Sequence, residues 1–177
     1  MGLHFDNEEF RNRRNRLLEL IVENELDGML LFRQESMFYL TGYDTFGYVF
    51  FQCLYLGGDG KLILLTRAPD LRQARNTSIV EDIRIWVDGP EVNPALQLKE
   101  ILRECGCAGQ RLGVEYDSYG LTAKNGKMLD SALDGFCELS DASELVNRLR
   151  VVKTSEELVY VRKAAELADD ALDEAHR

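Results

Sequence analysis

Hydrophobic positions near the start of the chain recur with a helical period, which then changes to the pattern of a strand. Asp6 and Glu9 form a capping box, so we expect a helix that begins there and runs to about Glu25. Its apolar stripe comprises Phe10, Leu17, Leu20, Ile21 and Val22. The continuously apolar residues 29–32 follow, and such a run is typical of a strand that is buried on both faces.

The middle of the chain has the pattern of a β-hairpin followed by an amphipathic helix. Residues 49–56 are rich in aromatic and branched side chains, and Gln52 is their only polar side chain. The glycine-rich turn 57–60 allows the chain to return as a second strand over 61–66. A helix is expected after Asn93, because asparagine caps helices and the proline that follows it favours the first helical position.

The other segments continue the alternation of helices and strands. The pattern predicts a short helix after Pro69, a half-exposed strand over 83–87, a strand over 111–116, a weaker helix around 128–133 and a last strand over 136–139. Helices interleaved with strands indicate a sheet that is covered on both faces. We therefore expect residues 1–147 to form a three-layer α/β/α sandwich whose mixed sheet has about five or six strands.

Residues 148–177 have a different character. Thr154 and Glu157 form a second capping box, and Asp141 with Glu144 offers another possible one. A narrow apolar seam follows, spaced three and four residues apart, at Leu158, Val161, Ala165, Ala168 and Leu172. Because an alanine-rich seam needs a partner to pack on and no stop signal ends the helix, we expect a linker and the first helix of a second, truncated domain.

Charge and cysteine usage exclude several classes of partner. The chain has 31 acidic and 21 basic residues, a net charge of −10, which repels nucleic acid and anionic membranes. No run approaches the about 18 apolar residues that span a bilayer. The four cysteines lack the spacing of a zinc site, and the polar N-terminus does not resemble a signal peptide. We therefore expect a cytoplasmic protein with reduced thiols and neither nucleic acid nor membrane as a partner.

The sequence contains no self-contained catalytic pattern. A metallohydrolase needs several histidines and carboxylates that converge on one point, whereas the two histidines, His4 and His176, lie at opposite ends of the chain. Neither Cys53 nor Cys137 has a histidine partner for a nucleophilic role. Carboxylates are plentiful, but no pair stands out for acid–base work. We therefore predict no catalytic, metal-binding or cofactor-binding residue in this chain.

The most specific segment is Y-L-T-G-Y-D-T-F-G-Y at residues 39–48, which places four aromatic rings and two glycines between two apolar runs. One interpretation is an edge loop whose rings pack back onto the core. The other is a lip, residues 43–48, that faces a ligand or a partner, because exposed aromatic rings contribute most to interface energy. The residues alone leave both interpretations open.

Three motifs, L-D-G-M-L-L, Y-L-T-G-Y and L-R-V-V-K-T-S-E-E-L, together resemble the creatinase/prolidase superfamily, the Xaa-Pro peptidases with a pita-bread catalytic domain. L-D-G-M-L-L at 26–31, Y-L-T-G-Y at 39–43 and the hairpin strands resemble its N-terminal domain. L-R-V-V-K-T-S-E-E-L at 149–158 resembles the junction into its catalytic domain, where a long alanine-rich helix begins. The motifs occur in the same order over nearly the whole chain.

The resemblance implies a sheet of ribonuclease H-like topology without nuclease chemistry. It also implies that catalytic residues lie in a C-terminal domain beyond Arg177, with two divalent metal ions (Mn, Co or Zn) in prolidases and none in creatinase. In several members the N-terminal domain builds a homodimer and lends side chains to the neighbouring active site. Here Tyr48 stands at creatinase's aromatic position, and Phe50 stands where creatinase has an arginine, which argues against creatine as substrate.

The resemblance favours the lip, with Tyr43, Asp44, Phe46 and Tyr48 exposed toward another subunit or the catalytic domain. The expected function is dimerisation and substrate gating in a hydrolase that cleaves a C–N bond in an Xaa-Pro peptide or a small amidino or amide compound. The alternative is a protein-interaction module from a catalytically inactive member of the superfamily.

Overall fold

A mixed β-sheet forms the centre of the molecule. The computed structural model describes residues 3–176. The strands are β1 (Gly28–Leu31), β2 (Cys53–Gly57), β3 (Leu62–Arg67), β4 (Asp82–Trp86), β5 (Arg111–Val114) and β6 (Glu138–Asp141). The helices are α1 (Asn7–Glu23), α2 (Gln34–Thr41), α3 (Leu71–Thr77), α4 (Pro94–Glu104), α5 (Ala123–Leu133), α6 (Leu145–Val151) and α7 (Ser155–Ala175).

The order of the strands in the described sheet is β4-β3-β2-β1-β5-β6. β2 runs antiparallel to β1 and β3, whereas β1 with β5, β5 with β6 and β3 with β4 are parallel pairs. Five strands therefore point in one direction and β2 points in the other. Strands β1, β2 and β3 form a meander, and β5 and β6 extend it as parallel strands beside β1. This is the ribonuclease H-like arrangement that the resemblance implies, and β4 is an additional strand at the outer edge.

Helices cover both faces of the sheet, which confirms the three-layer sandwich. Along β1, Met29 and Leu31 pack into the cluster beneath α1, α2, α3 and α6, whereas Leu30 packs into the cluster beneath α4 and α5. Both faces of this strand are buried, as its continuously apolar sequence predicts. The two clusters form a core on each side of the sheet, and this rigid body positions the loops at its edges.

Most of the predicted helix starts are confirmed. The Asp6 carboxylate accepts a hydrogen bond from the backbone N–H of Glu9 at 2.8 Å, and Asn93 caps α4 in the same way. The capping box of Thr154 and Glu157 is complete in both directions. The possible box at Asp141 is wrong, because its carboxylate accepts hydrogen bonds from Ser143 instead.

Other details of the fold also differ from the expectation. α1 ends at Glu23, and Val22 in its predicted apolar stripe is 72% exposed. Residues 34–41 form α2, which the sequence pattern does not indicate, and β2 begins at Cys53 rather than at 49. The stretch 39–48 is therefore partly helical, and the lip begins directly after a helix C-terminus.

α7 contains no buried residue, although its first turn is attached to the body. The hydroxyl group of Thr154 donates to the Glu9 carboxylate at 3.1 Å, and that of Tyr160 donates to the carbonyl oxygen of His4 at 2.6 Å. The last deeply buried side chain of the body is Leu149. The domain division at residue 147 stays a prediction.

None of the helices described within residues 3–176 combines the length and the apolar character that a membrane span requires. The cytoplasmic location stays a prediction.

Candidate functional site at the carboxyl edge of the sheet

The loops after the parallel strands meet at one edge of the sheet, and the lip lies among them. β1 leads into Phe32 and Arg33, and β5 leads into residues 115–120. The antiparallel β2 begins at this same edge, a few residues after the lip. In open α/β sheets, ligands bind preferentially outside the carboxyl ends of the strands. This edge is therefore the first place to look for a functional site.

The first lip residue points into the protein. Gly42 ends α2 in the left-handed conformation, with φ of 79°, and its N–H donates to the carbonyl oxygen of Phe38. This turn directs Tyr43 inward, where its side chain is completely buried and its hydroxyl group lies 3.2 Å from that of Thr66. The predicted exposure of Tyr43 is wrong, because the helix end reverses the chain toward the core.

The other three predicted lip residues are exposed. Phe46 is 86% exposed and Tyr48 is 41% exposed, and Asp44 also faces solvent. Thr45 and Gly47 alternate with them and are buried. The backbone is held by hydrogen bonds on the inner side, since the Thr45 hydroxyl accepts from the Gly47 N–H at 2.8 Å. An ordered backbone thus presents two aromatic rings outward.

A pocket of about 320 Å³ lies beside the lip, and its opposite wall is Tyr119, a residue that the sequence analysis missed. Tyr119 is 87% exposed and lies in the loop after β5. The lining comprises Arg33, Gln34, Glu35, Tyr48, Ser118, Tyr119 and Gly120. An aromatic residue between serine and glycine just after an apolar strand was the available signal, but it becomes informative only when β5 is known to lie next to β1.

Arg33, which lines this pocket, connects the start of α2 to α6 and to the loop after β5. Its guanidinium group donates to the side-chain oxygen of Asn147 at 2.7 Å and to the backbone carbonyl of Asp117. A second contact reaches the Asp117 carboxylate at 3.5 Å. Because these partners occupy the guanidinium group, Arg33 orders the loop after β5 relative to α2.

Glu115, which the sequence analysis also missed, holds the start of α2 in place through buried hydrogen bonds. Its carboxylate is completely buried and accepts hydrogen bonds from the N–H groups of Phe32 and Arg33, at 3.1 and 3.0 Å, and from the Ser36 hydroxyl. Burial raises the pKa of Glu115 from 4.5 to about 7, although these donors and the nearby guanidinium group oppose the shift. Glu115 thus caps the start of α2 and positions the helix that leads into the lip.

Comparison with known proteins identifies the family. The Creatinase/Prolidase N-terminal domain model matches residues 13–152, which includes the sheet, the lip and α6. The chain belongs to this family. The ectoine hydrolase of Halomonas elongata is 28% identical over 174 residues, and the match covers 94% of this chain and 43% of that protein.

Solved structures of family members agree with the fold. A dipeptidase from Pyrococcus horikoshii OT3 superimposes with a TM-score of 0.76 at 25% identity, over 92% of this chain and 43% of that one. The N-terminal domain of the cytoplasmic peptidase PepQ from Mycobacterium tuberculosis H37Rv gives a TM-score of 0.63 at 26% identity, over 78% of this chain and 98% of that one. The chain spans less than half the length of the curated relatives it matches.

The part of the chain that the structure describes contains no cluster of side chains suited to bind a divalent metal ion. Residues 3–176 contain no group of three or more histidine, cysteine, aspartate or glutamate side chains that could hold a metal ion. His4 instead lies in an aromatic contact with Phe38, 6.0 Å between ring centroids. The placement of any metal ligands in a domain beyond this chain stays a prediction.

Proposed function

We propose that this chain is the substrate-gating and subunit-contact domain of a hydrolase that cleaves a C–N bond. The substrate would be an Xaa-Pro peptide or a small amide or amidino compound, and the catalytic residues, with any divalent metal ions, would belong to a domain that follows α7. Membership of the creatinase/prolidase family and the names of the relatives, ectoine hydrolase and dipeptidase, support this chemical class.

The exposed lip is the observation that carries the proposal. Phe46 is more exposed than any interior packing role would allow, and the patch continues into Val49 and Phe50, which are 55% and 41% exposed. An aromatic side chain can bury about 150–250 Å² against a partner. Because the lip backbone is hydrogen-bonded on its inner side, these rings are already positioned when the partner arrives, which reduces the entropy cost of association.

The same patch would form the contact between two copies of the chain. In such a homodimer the rings of one lip would close one side of the active site of the neighbouring subunit and limit which substrates fit. The lip would act on substrate positioning rather than on the chemical step. This predicts effects on KM and on substrate preference.

The test uses the full-length protein with Phe46→Ala and Tyr48→Ala. Hydrolysis would be measured for glycyl-proline, glycyl-alanine, ectoine and creatine, together with thermal unfolding and sedimentation. We expect KM to rise or the preference among substrates to change, with little change in Tm, because the deleted rings are exposed in this chain. Val22→Ala, which removes a similarly exposed apolar side chain from α1, is the matched control.

The proposal would be contradicted by unchanged kinetics and an unchanged oligomeric state in both lip variants. It would also be contradicted if the full-length protein hydrolysed none of the four compounds after loading with manganese, cobalt or zinc. That second result would favour a protein-interaction module.

A further inference from the structure

Gln52 has a buried side chain whose hydrogen-bonding capacity is unused. It lies between the lip and β2 and is 2% exposed, and neither its side-chain oxygen nor its nitrogen has a hydrogen-bond partner among residues 3–176. Buried polar groups are almost always paired, because an unpaired one loses its hydration without compensation. An amide left in this state needs an explanation, and a ligand that reaches it would supply one.

A narrow void adjoins this amide. It is lined by Phe32, Gln34, Met37, Thr45, Tyr48 and Gln52, and it is too narrow to admit a water molecule. Two of these residues, Gln34 and Tyr48, also line the pocket of about 320 Å³ at the sheet edge. The void therefore adjoins the open pocket at these two residues.

The lip backbone covers Gln52 closely at Gly47. A Cβ atom at Gly47 would lie 2.1 Å from the Gln52 nitrogen and 2.7 Å from a carboxylate oxygen of Asp70. That Asp70 oxygen also has no hydrogen-bond partner in the described part of the chain. Only a residue without a side chain fits here, so the lip closes over two unpaired polar groups that lie beside the same backbone position.

We propose that Gln52 is a specificity-determining residue, reached when the Tyr48 ring swings aside, and that its amide binds an amide or amidine group of the substrate. This rests on the proposed function of the lip. A carboxamide presents one acceptor and one donor side by side. A substrate carboxylate would leave the Gln52 oxygen unpaired, because an ionised carboxylate has no hydrogen to donate.

A hydrogen bond to Gln52 would also discriminate between substrates within the proposed class. A secondary amide or a protonated amidine offers an N–H donor to the Gln52 side-chain oxygen, whereas the tertiary amide of an Xaa-Pro bond has no N–H group. A site built to bind an N–H group rejects a substrate that lacks it, because the Gln52 oxygen stays unpaired. Gln52 therefore favours ectoine, a cyclic amidine, and secondary amides over Xaa-Pro bonds.

Gln52→Leu tests the inference in the full-length protein, with Gln110→Leu as the matched control. The Gln110 side-chain oxygen is also unpaired, but it lies beside the start of β5, at the opposite edge of the sheet. For Gln52→Leu we expect KM for ectoine or glycyl-alanine to rise at least about tenfold, while KM for glycyl-proline stays unchanged. The Tm should stay equal or rise, because an unpaired amide is replaced by an apolar group.

A second measurement needs no substrate. In the 177-residue chain, the side-chain amide protons of Gln52 should exchange slowly with solvent, and Tyr48→Ala should accelerate this exchange at least about tenfold by opening the void. Phe46→Ala, which removes a lip ring that does not line the void, should leave the exchange unchanged. Equal exchange rates in all three proteins would overturn the role of Tyr48 as the barrier.

The outcomes separate this inference from the function of the lip. If Phe46→Ala and Tyr48→Ala change KM but Gln52→Leu does not, the lip gates substrates and the assignment of Gln52 is wrong. If Gln52→Leu raises KM equally for glycyl-proline and glycyl-alanine, the inference that Gln52 favours substrates with an amide N–H group is wrong. If Gln52→Leu alone changes KM, Gln52 binds substrate and gating by the lip rings is wrong.

Discussion

The hydroxyl group of Ser36 donates a hydrogen bond of 2.5 Å to the carboxylate of Glu115, which links the first turn of α2 to the end of β5. The same carboxylate accepts from the N–H groups of Phe32 and Arg33. Arg33, at the N-cap position of α2, makes no side-chain cap of its own. The helix that leads into the lip is therefore capped by a residue that lies far away in the sequence.

Stability should depend on the ionisation of Glu115. Because its pKa is about 7 in the folded protein and 4.5 when unperturbed, the folded state binds the proton more tightly between these two values. The contribution of Glu115 to stability therefore falls as pH rises from 4.5 to 7, by on the order of 3 kcal/mol. We expect urea unfolding at pH 5 and pH 8 to show a smaller difference in Glu115→Gln than in the parent.

The control for this prediction is Glu19→Gln, an exposed substitution on α1 that should leave the pH dependence unchanged. Equal pH dependence in Glu115→Gln and the parent would show that the buried carboxylate does not titrate in this range.

Arg13 should be essential for stability, because it is a buried cation that holds three helices together. Its guanidinium group donates to Glu9 at 2.8 Å and to the Tyr39 carbonyl at 3.0 Å, and its third nitrogen lies 3.2 Å from Glu157 without hydrogen-bond geometry. Arg13→Met leaves the buried Glu9 carboxylate without a cation, so we expect a loss of about 3–5 kcal/mol in urea unfolding. Arg11→Met, at an exposed position of α1, should change stability by less than about 0.5 kcal/mol.

A loss below 1 kcal/mol in Arg13→Met would show that the hydrogen bonds and ion pairs of this guanidinium group add little to stability. Protection of the first turn of α7 from hydrogen exchange should fall in the same variant, because Glu157 loses its cation.

Two glycine substitutions should change stability in opposite directions. Gly42→Ala forces a side chain into a backbone with φ of 79° and places its Cβ 2.9 Å from the carbonyl oxygen of Thr77, so we expect a loss of at least about 1–2 kcal/mol. Gly126 lies inside α5 with no neighbour closer than 4.0 Å, so Gly126→Ala should gain about 0.5–1 kcal/mol. Thermal unfolding should show a lower Tm for the first and a higher Tm for the second. A stable Gly42→Ala variant would contradict the left-handed turn that directs Tyr43 inward.

Tyr43 and Phe46 should behave as a core residue and a surface residue. Tyr43→Phe removes the buried hydroxyl group that pairs with Thr66, so we expect a loss of about 0.5–1.5 kcal/mol. Phe46→Ala removes an 86% exposed ring and should change the free energy of unfolding by less than about 0.5 kcal/mol. A larger loss in Phe46→Ala than in Tyr43→Phe would reverse the assignment of the two rings and remove the basis for the lip.

Signals that act within one or two turns of the chain predicted their elements well. The caps at Asp6, Asn93 and Thr154 use side chains next to the helices they begin, and the apolar run 29–32 needs no knowledge of its neighbours to indicate burial on both faces. α2 was missed for the opposite reason. Its start is stabilised by Glu115, whose position beside β1 exists only after β5 has paired with β1.

The sequence by itself determined the class of fold, the family and the place where aromatic rings concentrate, because periodicity, caps and motif order are local properties of the chain. Only the tertiary structure decided which rings face outward. Tyr43 is buried and Phe46 is exposed because the helix end at Gly42 turns the chain and the backbone beyond it alternates between core and solvent. The buried amide of Gln52 was visible as the one polar side chain of an apolar run. That it lies unpaired beneath the lip follows from packing between segments, which no local pattern encodes.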